Sequence, residues 1–392
     1  MMDISVYFEP IDENLVKEDD DFRPGKLCNI IDSFINKDHF PSLEQTDIAI
    51  IGVKEDRNSI QNHGTSMAPD QVRKYFYKLY QGNYKVRISD LGNIIKGHQV
   101  EDTYFAVKSV VSELLKLHII PVIIGGSQDI TYSNYLAYES LGQIINIASI
   151  DSNFDLGKAD QEINSTSYLS KIIMHQPNFL FNYTNIGYQT YLVDQDAIEL
   201  MEKLYFDVYR LGYVRKNLEE VEPFVRNADM LSFDLSSIRQ SDAPGNAHPS
   251  PNGFYGDEAC QITRYAGLSD KLSSIGFYEF NPSYDNCGQT AHLTAQMIWY
   301  FIDGFYNRKH DFPLKDKKLY LKYRVSIKNH NHEIVFFKSK KSDRWWMEVP
   351  CPTNLRSKYE RHYLVPCSYK DYKTALKEEM PDRWWKVYQK LM

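Results

Sequence analysis

Apolar runs that read as buried strands occupy 48–53, 86–91, 121–124, 144–150, 183–187, 230–235 and 274–279. Between them, apolar positions recur at helical spacing over Gln71–Tyr80, Thr103–Lys116, Asp194–Tyr205 and Thr290–Phe305. This alternation predicts βαβ units, and hence an α/β body with a parallel sheet covered by helices. After residue 310 the pattern changes. LYLKYRVSI (319–327) and EIVFFK (333–338), separated by NHNH at 329–332, predict a hairpin, and helices are expected over Tyr369–Met380 and Pro381–Met392, the second with Pro381 in its first turn. The chain therefore divides into a body over 1–310, opened by an acidic arm over 1–24, and a small α+β extension over 311–392.

Charge sharpens that division. The extension carries 19 Lys and Arg against 10 Asp and Glu, whereas residues 1–310 carry 26 against 42. A basic tail on an acidic body predicts packing on the body itself, on another subunit or on a different partner, and a protein partner or homo-oligomer contact through 311–392 is expected. Four of the five tryptophans lie in this tail, as Trp345, Trp346, Trp384 and Trp385. They read either as a small satellite core or as interaction anchors for a partner. The four belong to an echo, Asp343-Arg344-Trp345-Trp346 recurring as Asp382-Arg383-Trp384-Trp385, too short for a repeat architecture.

Composition narrows the class further. The chain has no apolar run long enough to span a bilayer, and its acidic start lacks a signal-peptide pattern, so a cytoplasmic protein is expected. Cys28, Cys260, Cys287, Cys351 and Cys367 are scattered and odd in number, which argues for reduced thiols over a disulfide frame or zinc site.

Three segments carry candidate chemistry: GGSQD (125–129), SIDSNFD (149–155) and SFDLSSIRQSDAPG (232–245). Each follows an apolar run, which places it at the C-terminal end of a buried strand, where open α/β sheets hold their ligands. The segments resemble the three signatures of the ureohydrolases, the arginase, agmatinase and formimidoylglutamase family: GGDHS, DAHxD and SxDxDxxDPxxAPG. Further similarity runs through IAIIGVKED (48–56), GTSMAPDQVRK (64–74), ISDLGNI (88–94), NIGYQTY (185–191) and GFYEFNPSYDNCGQTAHLTAQMIWYFIDGF (276–305). The resemblance implies a three-layer αβα arginase-like fold.

It also implies a site for two Mn2+ ions and an activated hydroxide that attacks a guanidinium or formimino carbon. Against the family pattern, Asp151, Asp155 and Asp234 keep their carboxylates, while Gln128 and Asn153 replace histidines and Ser236 replaces an aspartate. A dinuclear manganese centre is therefore not expected. The residual set of Asp151, Asp155, Asp234 and Gln128 offers only oxygen, which suits at most one weak Mn2+, Mg2+ or Ca2+. Asp129 could bring a further carboxylate near Gln128 through a local shift of its loop. The bland alternative is that the aspartates survive as hydrogen-bonding struts for loops and helix starts.

Candidate catalytic groups are Asp155, Glu279 at the position the family uses to bind substrate nitrogen, and His248 beyond the third segment. Glu279 could instead be a buried carboxylate paired with Arg239. The expectation from the lost ligands is a pseudoenzyme that serves as a binding or scaffold protein. The alternative is a remodelled hydrolase of an amidine or guanidine C–N bond using one metal. A third reading, nucleic-acid contact through the basic tail, is opposed by the acidic body and by the absence of a nucleic-acid-binding motif.

Overall fold

The computed structural model describes residues 2–16, 24–158, 161–313, 317–327 and 332–392. Among these, ten strands form one sheet: β1 (Phe8–Glu9), β2 (Asp32–Ser33), β3 (Ile48–Val53), β4 (Ile88–Ile94), β5 (Ile120–Ile124), β6 (Ile145–Ile150), β7 (Leu180–Tyr188), β8 (Asp207–Arg210), β9 (Met230–Asp234) and β10 (Ser274–Tyr278). Their order is β1-β4-β3-β5-β10-β9-β6-β7-β8, with β2 also paired to β4. Every pairing is parallel except β1 with β4. Strands β3 to β6, β9 and β10 are buried along their whole length, which is why they read as continuous apolar runs without alternation.

Helices cover both faces. Ala68–Phe76, Gly256–Gly267 and Gln289–Tyr306 pack on one side, and the first opens with a proline in its first turn. Val100–Lys116 and Ile130–Ser140 pack against the other side. The acidic arm joins the body: Ile4, Phe8 and Ile11 are buried, and β1 closes the sheet edge.

The extension builds a second, antiparallel sheet from β11 (Tyr320–Ile327), β12 (His332–Ser339), β13 (Trp345–Glu348) and β14 (Leu364–Cys367), followed by helices Tyr369–Leu376 and Asp382–Leu391. The hairpin pairing is as expected, while most of the NHNH turn lies outside the described residues. Pro381 stands just before the last helix as its N-cap. The sequence pattern missed β13 and β14.

The tryptophans require a correction. Trp345, Trp346 and Trp384 are buried and cannot serve as free interaction anchors, whereas Trp385 is 41% exposed. Trp345 stacks on Tyr372 at 5.0 Å, Trp384 donates through Nε1 to the carbonyl of Glu348 at 2.9 Å, and Arg226 of the body lies 4.3 Å above the Trp346 ring. Phe181 of β7 belongs to the same apolar cluster, so body and tail share a core. The basic surplus of the tail meets the acidic body directly, through Arg344–Glu222 at 3.0 Å, Arg361–Asp229 at 2.6 Å and Lys386–Asp207 at 3.3 Å.

Candidate active site

Four neighbouring central strands, β5, β10, β9 and β6, deliver the three segments and Glu279 to one edge of the sheet. Asp151 follows the last residue of β6, Asp234 ends β9, Glu279 follows β10, and GGSQD follows β5. This is the edge at which a parallel sheet leaves room between diverging loops. Gly126 has a steric reason to be glycine, since a Cβ there would sit 1.8 Å from the carbonyl oxygen of Glu55. Asp155 and Glu279 both take left-handed backbone angles, with φ of 51° and 63°. Such strain in residues other than glycine concentrates at functional sites.

Asp151, Asp155 and Asp234 converge, each with a carboxylate oxygen within 4.8 Å of the others. One oxygen of Asp151 accepts the Asn153 N–H at 2.8 Å and one of Asp234 accepts the Ser236 N–H at 2.6 Å. The remaining oxygens tell more. Oδ2 of Asp151, Oδ2 of Asp155 and Oε1 of Gln128 are buried without a hydrogen-bond partner. Gln128 spends its amide nitrogen on the Ser232 hydroxyl at 2.9 Å, which leaves its oxygen as an acceptor. Buried acceptors without donors are costly, and this set of oxygens fits a hard divalent cation.

Asn153 and Ser236 line the same cleft as Asp155, Asp234, Glu279 and His248, with a volume of about 500 Å³. They bring an amide and a hydroxyl to the cleft beside the carboxylates. His248 is exposed at the cleft wall. Glu279 is not paired with Arg239, which instead binds Asp242 at 2.8 Å. Its carboxylate accepts from Asn62 Nδ2 at 2.8 Å and from the Gln128 backbone N–H at 2.9 Å. Asp129 is not one of the three converging aspartates: one of its oxygens accepts the Tyr104 hydroxyl proton and the other is buried without a partner.

Sequence reading missed Asn62 and Asn246. Both donate to the Glu279 carbonyl, at 3.1 and 2.9 Å, and Asn246 Oδ1 also accepts the His248 N–H at 2.7 Å. The only available signal was their place in loops beside the recognised segments.

Electrostatically the cleft is starved of positive charge. Among the described residues, no Lys, Arg or His makes an ion pair with Asp151, Asp155, Asp234 or Glu279. Burial, reinforced by Asp234, pushes Asp155 up to about 8 and Glu279 up to about 8. Burial raises Asp234 to about 6, and burial with Asp155 and Asp234 nearby raises Asp151 well above the carboxylate range. An incoming cation would relieve this repulsion and displace protons.

Comparison with known proteins supports the same reading of the fold. A family model described as Arginase family matches residues 46–303. Formimidoylglutamases of Staphylococcus aureus strains MSSA476 and JH9 are each 27% identical over 267 residues, covering 65% of this chain and 85% of theirs. A crystal structure of Trypanosoma cruzi formiminoglutamase with Mn2+2 superposes with a TM-score of 0.64 at 19% identity, covering 72% of this chain and 99% of that one. Formimidoylglutamase from Bacillus subtilis subsp. subtilis str. 168 gives a TM-score of 0.61 at 19% identity over 71% and 95% of the two chains. These relatives overturn the pseudoenzyme expectation: the sequences this chain resembles are those of hydrolases, and the acidic centre is assembled rather than dispersed. The described helices include none long and apolar enough to cross a membrane.

Proposed function

The chain belongs to the arginase family, and from that premise we propose that it is a hydrolase of a non-peptide C–N bond in an amidine-type substrate, working with one divalent cation. The observation that carries the proposal is the convergence of Asp151, Asp155 and Asp234 beside a cleft that Asp155, Asp234 and Glu279 line, without a basic partner among the described residues. Such a site calls for positive charge from outside, and a metal ion together with an amidinium provides it. The similarity to formimidoylglutamases supports a formimino or guanidino group as the substrate's reactive part.

Asp151, Asp155 and Asp234 would hold the cation, with Gln128 offering its free amide oxygen. A cation there supplies Lewis acidity and stabilises the charge that develops as the C–N bond breaks. Glu279 is fixed by Asn62 and the Gln128 N–H, so it meets the substrate in a set orientation and accepts amidine N–H groups. With Asp155 ionised as a ligand, the attacking water would supply both the oxygen of the new C–O bond and the proton taken up by the leaving nitrogen as the C–N bond breaks. His248 is exposed at the cleft wall, where an incoming substrate would pass it.

The test is a panel of formimidoylglutamate, agmatine, arginine and simple amidines with added Mn2+. Formamide or urea should appear with wild type and not with Asp155→Asn. A metal-loaded protein that releases nothing from any member of the panel would defeat the proposal.

A further inference from the structure

A second polar cavity lies at the opposite edge of the sheet. Ile120 opens β5 there and Ser273 precedes β10, whereas Glu279 ends the same β10 passage at the acidic cleft. At ~3.3 Å per residue the two sites stand roughly 20 Å apart. Two adjoining cavities of about 200 and 530 Å³ share Asp270, Lys271, His310 and Arg361 as walls. The larger adds Arg308 and His118, and the smaller adds Phe312. The walls thus come from both the body and the tail.

The charge balance here is the reverse of that in the acidic cleft. Three cations, Lys271, Arg308 and Arg361, line the space with a single carboxylate, Asp270. Asp270 is already engaged by the backbone N–H groups of His310 and Asp311, at 3.2 and 2.8 Å. Behind the wall, Asp229 binds Arg361 at 2.6 Å and Lys271 at 3.5 Å. Counting it, one positive charge is left over, and Nδ1 of His310 stands 3.5 Å from Asp270. Arg308 donates to the carbonyls of Gly267 and Leu272, at 2.8 and 3.0 Å, and makes no ion pair among the described residues. Burial pulls Arg308 down to about 10 and Lys271 down to about 8, the cost of cations short of anions.

We propose that this cavity binds a phosphoryl oxyanion, either inorganic phosphate or the phosphate of a small monoester, between Lys271, Arg308 and Arg361. Guanidinium forks and an ammonium match tetrahedral oxygens, and a larger cavity of about 530 Å³ leaves room for an organic remainder. Because Arg361 belongs to the tail and Lys271 and Arg308 to the body, the bound anion bridges the two parts and stabilises their docking.

The experiment titrates inorganic phosphate, and separately glycerol 3-phosphate, into the metal-free full chain by calorimetry at ionic strength fixed with chloride. Saturable binding with a Kd of about 1 mM or tighter is expected, weakened about tenfold or more in Arg308→Met. Tighter binding of the monoester would identify an organic phosphate as the source, and equal binding inorganic phosphate. Absence of saturable heat or wild-type affinity in a folded Arg308→Met would each overturn the proposal.

Discussion

The carboxylate of Glu279 accepts the backbone N–H of Gln128 at 2.9 Å, which ties the loop after β5 to the end of β10. A residue assigned to substrate thereby also sets the position of a candidate ligand. Glu279→Gln keeps an acceptor for that N–H and removes the charge. It should leave thermal stability within about 1 kcal/mol of wild type and preserve metal binding, while lowering kcat/KM by about 100-fold or more. Loss of metal and activity together would instead make Glu279 a ligand.

Asn153 and Ser236 line the cleft, and the resemblance of their segments aligns them with a histidine and an aspartate. Restoring Gln128→His, Asn153→His and Ser236→Asp together should raise bound Mn2+ towards a second equivalent, since Asp151, Asp155 and Asp234 already converge. Direct ligands are worth at least the roughly 10–100-fold in affinity attributed to their supporting groups. Metal analysis of the triple variant against wild type checks this, and unchanged stoichiometry would show that loop geometry, not ligand identity, limits the site.

Metal affinity should also depend on pH. Asp155 and Asp234, raised by burial to about 8 and about 6, must lose protons to bind a cation, so affinity is greatest above pH 8 and falls as acid is added. Mn2+ titrations between pH 6 and pH 9 read this directly. A flat profile would mean that the carboxylates are already ionised without metal.

His362 gives a stability prediction of defined sign. Burial, with Lys271 nearby, lowers it to about 3, and it bonds the carbonyl of Ile144 at 3.2 Å. Its folded value lies below its unfolded one, so the unfolded state binds the proton first. The stability contributed by neutral His362 is complete above the unfolded value near 6.5 and is lost as pH falls towards 3. By pH 4.5 the loss should reach about 2–3 kcal/mol. Urea unfolding of wild type and His362→Gln at pH 7 and pH 4.5 isolates it, because the variant should lose less.

The tail should be part of the fold. Trp384 is fully buried and donates to Glu348, so Trp384→Ala should cost about 3–5 kcal/mol. Arg361→Met weakens the support of the buried Asp229 and should cost about 2 kcal/mol or more. Calorimetric unfolding should show a single transition that shifts in both variants. A separate low-temperature transition would show that the tail melts independently of the body.

Much of this architecture was legible because fully buried parallel strands leave continuous apolar runs, as at Ile48–Val53 and Ile145–Ile150. The converging aspartates Asp151, Asp155 and Asp234 were legible because their spacing survives in the recognised segments. The support around Glu279 was not, since Asn62 and Asn246 lie 217 and 33 residues away and meet it only through the fold. The tail shows why local sequence fails: Trp345 and Trp346 open β13, while the same Asp-Arg-Trp-Trp sequence ending in Trp384 and Trp385 forms the first turn of a helix. Packing against Phe181 and the neighbouring strands overrides a four-residue pattern.

The most direct test of the account is the number of manganese ions held per chain. The protein, stripped with chelator and dialysed against Mn2+, should retain close to one equivalent, lost in Asp155→Asn and in Asp234→Asn, with hydrolysis of the amidine panel rising in step. Two equivalents in wild type would contradict the single-ion site, and none would remove the basis of the proposed chemistry.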